Sequence, residues 1–276
     1  MMKAVIPAAG MGTRFLPATK AVPKEMLPVV DRPVIQYIVE EALDSGADEV
    51  IIVNNRTKQA IEHHFAPDAE LEATLTARGK TALAEKVQHA GSLPVTFVYQ
   101  DEALGLGHAV HCAAAATGGD PFFVLLGDVI AEDGSMLARM RDISEAHEGA
   151  NVIAVLPVAR EEVSRFGVIS GSEVSAGVWK VNSLVEKPAV DEAPSNLTVF
   201  GRYLLSPRVM ELLADVAPGA GGEIQLTDAL DAVLAEEEMY ALVIDDDDGF
   251  DTGTPETWLD ANVRLAARSR KAHDIR

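Results

Sequence analysis

Lys3-Ala4-Val5-Ile6-Pro7-Ala8-Ala9-Gly10-Met11-Gly12-Thr13-Arg14 decides how this chain is read. An apolar run of strand length ends at Pro7, passes into a turn of small residues and closes on the cation of Arg14. Small residues after a buried strand let the backbone approach a ligand, and successive N–H groups in a glycine turn make a concave anion site. Arg14 adds a planar fork matched to phosphate oxygens. The motif is not the dinucleotide fingerprint, because Phe15 stands where the third glycine belongs, and it is not a P-loop, because no Gly-Lys-Ser/Thr follows. On its own such a turn is structural about as often as it holds phosphate. Charge tilts the balance: in a chain of formal net charge −20, the stretch from Met1 to Lys24 carries Lys3, Arg14, Lys20 and Lys24 and no acid. That is an island of positive potential where an anionic ligand is expected.

Working outward, apolar residues Val34, Ile35, Ile38, Val39, Ala42 and Leu43 form one helical stripe over 33–45, with Pro33 in the first turn and Gly46 as the stop. A second strand over 49–54 completes a strand–helix–strand unit. Helical sequence over 57–89, a strand at 95–99, a Gly-punctuated turn, a helix ending near Ala116 and a strand at 122–126 continue the alternation. This predicts an α/β fold with a mostly parallel sheet covered by helices on both faces. The second half changes character, with closely spaced strand candidates at 151–158, 166–169, 178–185 and 197–205 that predict mixed or antiparallel additions. Helices over 224–237 and 254–268, with a strand at 239–244 between them, close the chain.

A length of 276 residues suits one large domain, and 48% hydrophobic with 24% charged residues is ordinary for a globular protein. No segment reaches the ~20 apolar residues of a membrane span, and the N-terminus lacks a secretory signal, so a cytoplasmic location is expected. The acidic balance argues against nucleic acid or an anionic membrane as partner. Cys112 is the only cysteine, which rules out an intrachain disulfide.

Several further residues carry chemistry. Lys20 and Lys24 lie in a stretch stiffened by Pro17, Pro23 and Pro28, which reads either as a solvated loop or as a rigid holder for a lysine. Asp128 follows an apolar strand at the sheet edge where open α/β folds bind ligands, a place for a metal carboxylate or for a helix cap. Asp251 opens the last helix and is a second candidate carboxylate. The run 245–248 next to it is more often a solvated acidic loop than a cation site. Glu186-Lys187-Pro188 ends a strand, where a lysine either neutralises a phosphate or sits as a surface ion at a hairpin. His108, His111 and Cys112 share a helical face, a weak zinc signal without an evident fourth ligand.

Together and in order, these segments resemble the sugar-1-phosphate nucleotidyltransferase family. The likeness runs through residues 6–14, 17–20, 23–28, 105–110, 127–128, 166–168, 186–188 and 223–228. The Lys-Glu-Met-Leu-Pro and Glu-Ile-Gln-Leu-Thr-Asp segments point to its uridylyltransferase branch. The resemblance implies a Rossmann-like three-layer α/β/α fold in a single domain spanning 1–276. Residues 1–130 would form the nucleotide-binding half, and 131–276 the sugar-phosphate half with the C-terminal helices. It implies direct in-line transfer from UTP to glucose 1-phosphate, giving UDP-glucose and pyrophosphate, with Mg²⁺ as cofactor and a homodimer or homotetramer as assembly. By the same resemblance Ala8, Ala9, Gly10, Gly12, Thr13, Glu25, Gln100, Gly105 and Gly107 surround the nucleotide, with Gln100 and the Gly107 backbone reading the base. Arg14 and Lys24 grip the triphosphate and, with Asp128 and Lys187, make up the catalytic set. Asp128 and Asp251 hold the metal; Lys187 binds the sugar phosphate; Gly167, Glu186 and Gly201 face the sugar. Asp251-Thr252-Gly253 departs from the Asp-Cys-Gly common in that branch and is similar to the thymidylyltransferase form, which keeps that activity open as an alternative. A sugar-nucleotide binding protein without turnover and a metal-dependent glycosyltransferase are the readings from other classes.

Overall fold

The computed structural model describes residues 1–131, 134–219, 222–245 and 247–274, with side chains described to residue 268. Strand β1 (Lys3–Pro7) leads through a Pro-rich stretch and a small hairpin, β2 (Pro28–Val29) and β3 (Arg32–Pro33), into α1 (Val34–Asp44). The chain continues with β4 (Glu49–Asn54), α2 (Gln59–Phe65), α3 (Ala69–Ala77), α4 (Thr81–Ser92), β5 (Val95–Tyr99), α5 (Leu106–His111), α6 (Ala114–Thr117) and β6 (Phe122–Leu125). Its second half contains β7 (Val129–Ala131), α7 (Ser135–Ala146), β8 (Asn151–Pro157), β9 (Gly167–Ser175), β10 (Val178–Glu186), β11 (Leu197–Leu205) and α8 (Pro207–Asp215). Then follow α9 (Leu226–Val233), β12 (Met239–Val243), β13 (Gly249–Asp251) and α10 (Pro255–Asp274).

Among the described residues nine strands form one sheet in the order β5-β4-β1-β6-β11-β8-β12-β10-β9. β5, β4, β1 and β6 pair in parallel. β11 runs antiparallel to both β6 and β8, and β10 antiparallel to β12 and β9, while β8 and β12 are parallel to each other. The mixed sheet expected from the spacing is present, with its parallel pairings concentrated in the first half. Alternation along β1 sends Ala4 and Ile6 into a core with α1 and α7, and Val5 into a core with α5, α8 and α9. Helices therefore cover both faces, and each fully buried Ile or Leu adds about 1.5–3 kcal/mol.

α1 follows the predicted stripe: Val34, Ile35, Ile38, Val39 and Ala42 are buried. The helical sequence over 57–89 resolves into three helices, and the last helix runs from Pro255 to Asp274, beyond the predicted 268. Helices α7 and α8 were not expected. Because β1, β4, β5 and β6 are parallel, the segments that follow them emerge at one edge of the sheet, which brings the glycine turn, Lys58, Gln100 and Asp128 together.

Candidate active site

At the end of β1 the turn opens toward free space: a Cβ on Gly10 would meet nothing within 4 Å. Gly12 has φ +64° and packs against Thr19 and Lys24, whose hydroxyl and stem close the turn from below. Glu25 is almost fully buried beneath it. Lys58 Nζ lies 2.9 Å from Glu25 Oε2 and donates to the carbonyl of Ala8 at 2.6 Å, so a buried ion pair fixes the start of the turn. Burial raises the Glu25 pKa against the pull of Lys58 and Lys24, and burial likewise lowers that of Lys58 against the pull of Glu25. Lys58 escaped the sequence reading; its place just after a parallel strand was the available signal.

The strongest convergence is at the end of β6. Asp128 Oδ2 accepts from Lys24 Nζ at 2.6 Å. β13 pairs with β7 so that Asp251 stands opposite Val129, one residue from Asp128. Thr252 then clamps the Asp128 carbonyl twice, through its amide at 2.7 Å and its hydroxyl at 2.8 Å. A Cβ on Gly253 would lie 2.9 Å from Asp251 Oδ1, 3.2 Å from Asp128 Oδ2 and 3.4 Å from Arg14 Nη1, so these three groups converge on one small space beside Gly253. Burial opposes ionisation of Asp128, but Lys24 and Arg14 outweigh it and hold the carboxyl below its usual range. For Lys24 burial is again outweighed, by Asp128 and Glu25, and the amine is raised. Asp251 is pushed up by burial and by the charge of Asp128.

Among the described residues no group of three or more His, Cys, Asp or Glu side chains is placed to hold a metal. Asp128 and Asp251 stand side by side against their mutual repulsion and would offer a cation two hard oxygen ligands. This donor set fits Mg²⁺, which takes one or two carboxylates and completes its shell with water and phosphate oxygens. Of the acidic run, Asp247 is exposed and pairs with Arg264 at 2.7 Å, and Asp248 accepts from the amide of Asp245; Asp246 lies outside the described residues. The helical His/Cys face is occupied too, His108 by Gln100 and His111 by the Met210 carbonyl.

A cleft of about 880 Å³ continues from Arg14, Asp128 and Asp251 to Gly167, Glu186 and Lys187. Gly167 and Glu186 face each other across β9 and β10. Glu186 Oε2 accepts from the Thr227 hydroxyl at 2.7 Å, and Lys187 Nζ lies 3.1 Å from Glu186 Oε1. Lys187 takes φ +44°, a conformation non-glycine residues seldom adopt, with its side chain exposed. Gly201 lies between the cleft-lining residues Phe200 and Tyr203; its φ is +88° and a Cβ there would strike Leu126, another lining residue, at 2.8 Å, so the backbone conformation and the packing both favour glycine.

On the other side of the glycine turn, Gln100 Nε2 lies 3.0 Å from the Gly105 carbonyl and 2.9 Å from His108 Nδ1. A carbonyl can only accept, which fixes the amide: both N–H groups are spent and Oε1 is left as an acceptor. Gly105 and Gly107 press on the backbone of residues 224–225, with Cβ positions 2.7 and 2.9 Å from the Ile224 carbonyl, and the Gly107 amide donates to that carbonyl at 2.8 Å. The second half of the chain thus buttresses the first through this contact.

Residues 3–268 match a family model described as nucleotidyl transferase. This chain belongs to the nucleotidyl transferase family. Among its relatives, the UTP–glucose-1-phosphate uridylyltransferase YngB of Bacillus subtilis (strain 168) is 48% identical over 245 residues, 88% of this chain and 82% of the relative. A crystal structure of UDP-glucose pyrophosphorylase complexed with UDP-glucose superposes with a TM-score of 0.85 at 36% identity, covering 97% of this chain and 99% of that one. A UTP-bound UGPase from Acinetobacter baumannii gives a TM-score of 0.87 at 38% identity over 96% of this chain and 93% of its own. The family match over residues 3–268 takes in the crowded Asp128–Asp251 corner of this nucleotidyl transferase. Among the described residues no helix is long and apolar enough to cross a membrane.

Proposed function

We propose that this nucleotidyl transferase moves the uridylyl group of UTP onto glucose 1-phosphate, releasing pyrophosphate and forming UDP-glucose. The observation that carries the reading is the meeting of Arg14, Lys24, Asp128 and Asp251 at the mouth of a cleft whose other end presents Lys187 and Glu186. Two polyanions can be brought together there, and the names of the relatives supply the substrates.

In this reading residues 1–130 hold the nucleotide and 131–276 the sugar phosphate. The turn from Ala8 to Thr13, fastened by Lys58 and Glu25, lies under the nucleotide. Gln100 Oε1 accepts the imide N–H of the base, beside Gly105 and Gly107. Arg14 and Lys24 hold the triphosphate so that its α-phosphorus faces the sugar phosphate. Lys187 binds the phosphate of glucose 1-phosphate, while Gly167 and Glu186 face its hydroxyls. Asp128 and Asp251 would hold Mg²⁺, which when bound would supply neutralisation of phosphate charge. An oxygen of the sugar phosphate attacks the α-phosphorus, the bond from that phosphorus to the bridging β-oxygen breaks, and pyrophosphate carries the electron pair away. No side chain forms a covalent bond, so rate comes from positioning and charge stabilisation.

Mixing the protein with UTP, glucose 1-phosphate and Mg²⁺ should release pyrophosphate in step with UDP-glucose. A binding protein without turnover releases none, and a glycosyltransferase releases a nucleoside diphosphate instead. Lys187→Ala should raise the KM for glucose 1-phosphate by about tenfold or more, the worth of one charge-assisted hydrogen bond, with the KM for UTP nearly unmoved. Steady-state kinetics with each substrate varied in turn separates the two; an equal rise in both constants would place Lys187 outside the sugar-phosphate subsite.

A further inference from the structure

The Lys24–Asp128 contact raises a difficulty for the site as proposed. Lys24 cannot grip the triphosphate and keep its 2.6 Å bond to Asp128 if the same Asp128 oxygen must also face a divalent cation. Lys24 is the nearest cation to that oxygen, while Asp251 next door has no cation at hydrogen-bond distance among the described residues, its Oδ1 being met by the Gly253 amide at 2.7 Å. Arg14 also approaches the pair, 3.4 Å from the Gly253 Cβ position. Lys24 has room to leave, since its side chain is about one-fifth exposed, while its backbone is held in the short 3₁₀ turn Lys24–Met26.

Resting on the metal assignment above, we propose that Lys24 is a placeholder for the metal: in the ligand-free protein its ammonium occupies Asp128, and loading of the nucleotide with its cation transfers Lys24 to phosphate and Asp128 to the metal. The two moves are coupled by charge. A cation arriving alone must displace Lys24 into a pocket with no phosphate to receive it, and a nucleotide arriving alone must take Lys24 from a carboxylate that is left without a partner. Each therefore enters poorly without the other, and the site selects the metal–nucleotide pair. The 3₁₀ turn that carries Lys24 and the strand end that carries Asp128 stay in place; only a side chain moves.

The test reads binding of Mn²⁺ alone, by the electron paramagnetic resonance signal of the free ion, to nucleotide-free full-length protein. Lys24→Met removes the competing cation, and its Mn²⁺ affinity should rise about tenfold or more over the unsubstituted protein, the equivalent of one charge-assisted hydrogen bond no longer to be broken. Lys24→Arg, which keeps a cation, should stay at the weak level. A Lys24→Met protein that is folded by circular dichroism yet binds Mn²⁺ no more tightly overturns the exchange. A second measurement needs no variant: saturating Mn²⁺ should speed acetylation of Lys24 by acetic anhydride in the unsubstituted protein, scored by peptide mass spectrometry. An unchanged rate overturns the exchange as well. Asp128→Asn separates this inference from the reading it rests on. If that variant binds Mn²⁺ as well as the unsubstituted protein does, the metal assignment itself fails; if it loses binding while Lys24→Met gains none, only the exchange fails.

Discussion

Asp128→Ala should lower kcat by roughly a thousandfold or more, the scale seen when a group that stabilises transition-state charge is removed. Its far-UV circular dichroism should be unchanged. Asp128 sits at the corner where β6 ends and β7 begins, and the strand is fixed there by backbone groups: Thr252 holds the carbonyl of this residue, not its side chain. Truncation therefore deletes a carboxylate without deleting the anchor. It also leaves Lys24 without its partner, but that amine is partly exposed and can hydrate. Raising Mg²⁺ to the highest practicable level should restore little, because Asp251 alone supplies a single ligand. Asp251→Ala should behave alike, with a smaller loss if Asp128 retains the ion. Substantial activity in Asp128→Ala at ordinary Mg²⁺ would remove the carboxylate pair from the mechanism, and the cleft would need another explanation.

The parts of this arrangement that follow from chain-local chemistry were legible in the sequence. The stripe of α1 and the apolar strands β1, β4, β5 and β6 each announce themselves within a dozen residues, and once they alternate the ligand edge follows. Asp251 was legible only as one of several aspartates. What singles it out is the pairing of β13 with β7, a contact between segments more than a hundred residues apart. Thr227 and Thr252 are illegible for the same reason: each acts on a partner remote in sequence, on Glu186 and on the Asp128 carbonyl, while Lys58 showed only its place after a strand and not its partner Glu25. The missed helices differ from each other. α8 had its signals, with Pro207 at its start and Val209, Met210 and Leu213 on one face. In α7 the buried face of Met136, Leu137 and Met140 is continued by Ser144, which thins the periodicity.

The least legible contact of all has the largest expected effect on stability. Arg202 is completely buried in β11, and its guanidinium meets Glu41 of α1 in a two-pronged pair, Nε to Oε1 at 2.8 Å and Nη2 to Oε2 at 2.6 Å, across 161 residues of sequence. It also donates to the carbonyls of Val129 and Gly201 at 2.6 and 3.2 Å. Arg202→Met should destabilise the fold by about 3–5 kcal/mol, because Glu41 is left charged and dry, which is a large share of the roughly 5–15 kcal/mol a domain possesses. Glu41→Leu should cost as much by stranding the guanidinium. Joined in one protein, the two changes should recover most of the loss, since an apolar pair of similar volume avoids the desolvation penalty of both ions. Urea denaturation of the four proteins measures this as a double-mutant cycle. A double variant no more stable than either single would assign the loss to packing volume instead of charge. The double variant also separates scaffold from site. Arg202 ties down Val129, the residue after Asp128, so stability should return while kcat stays several-fold low, because the corner that aims Asp128 has lost its tether.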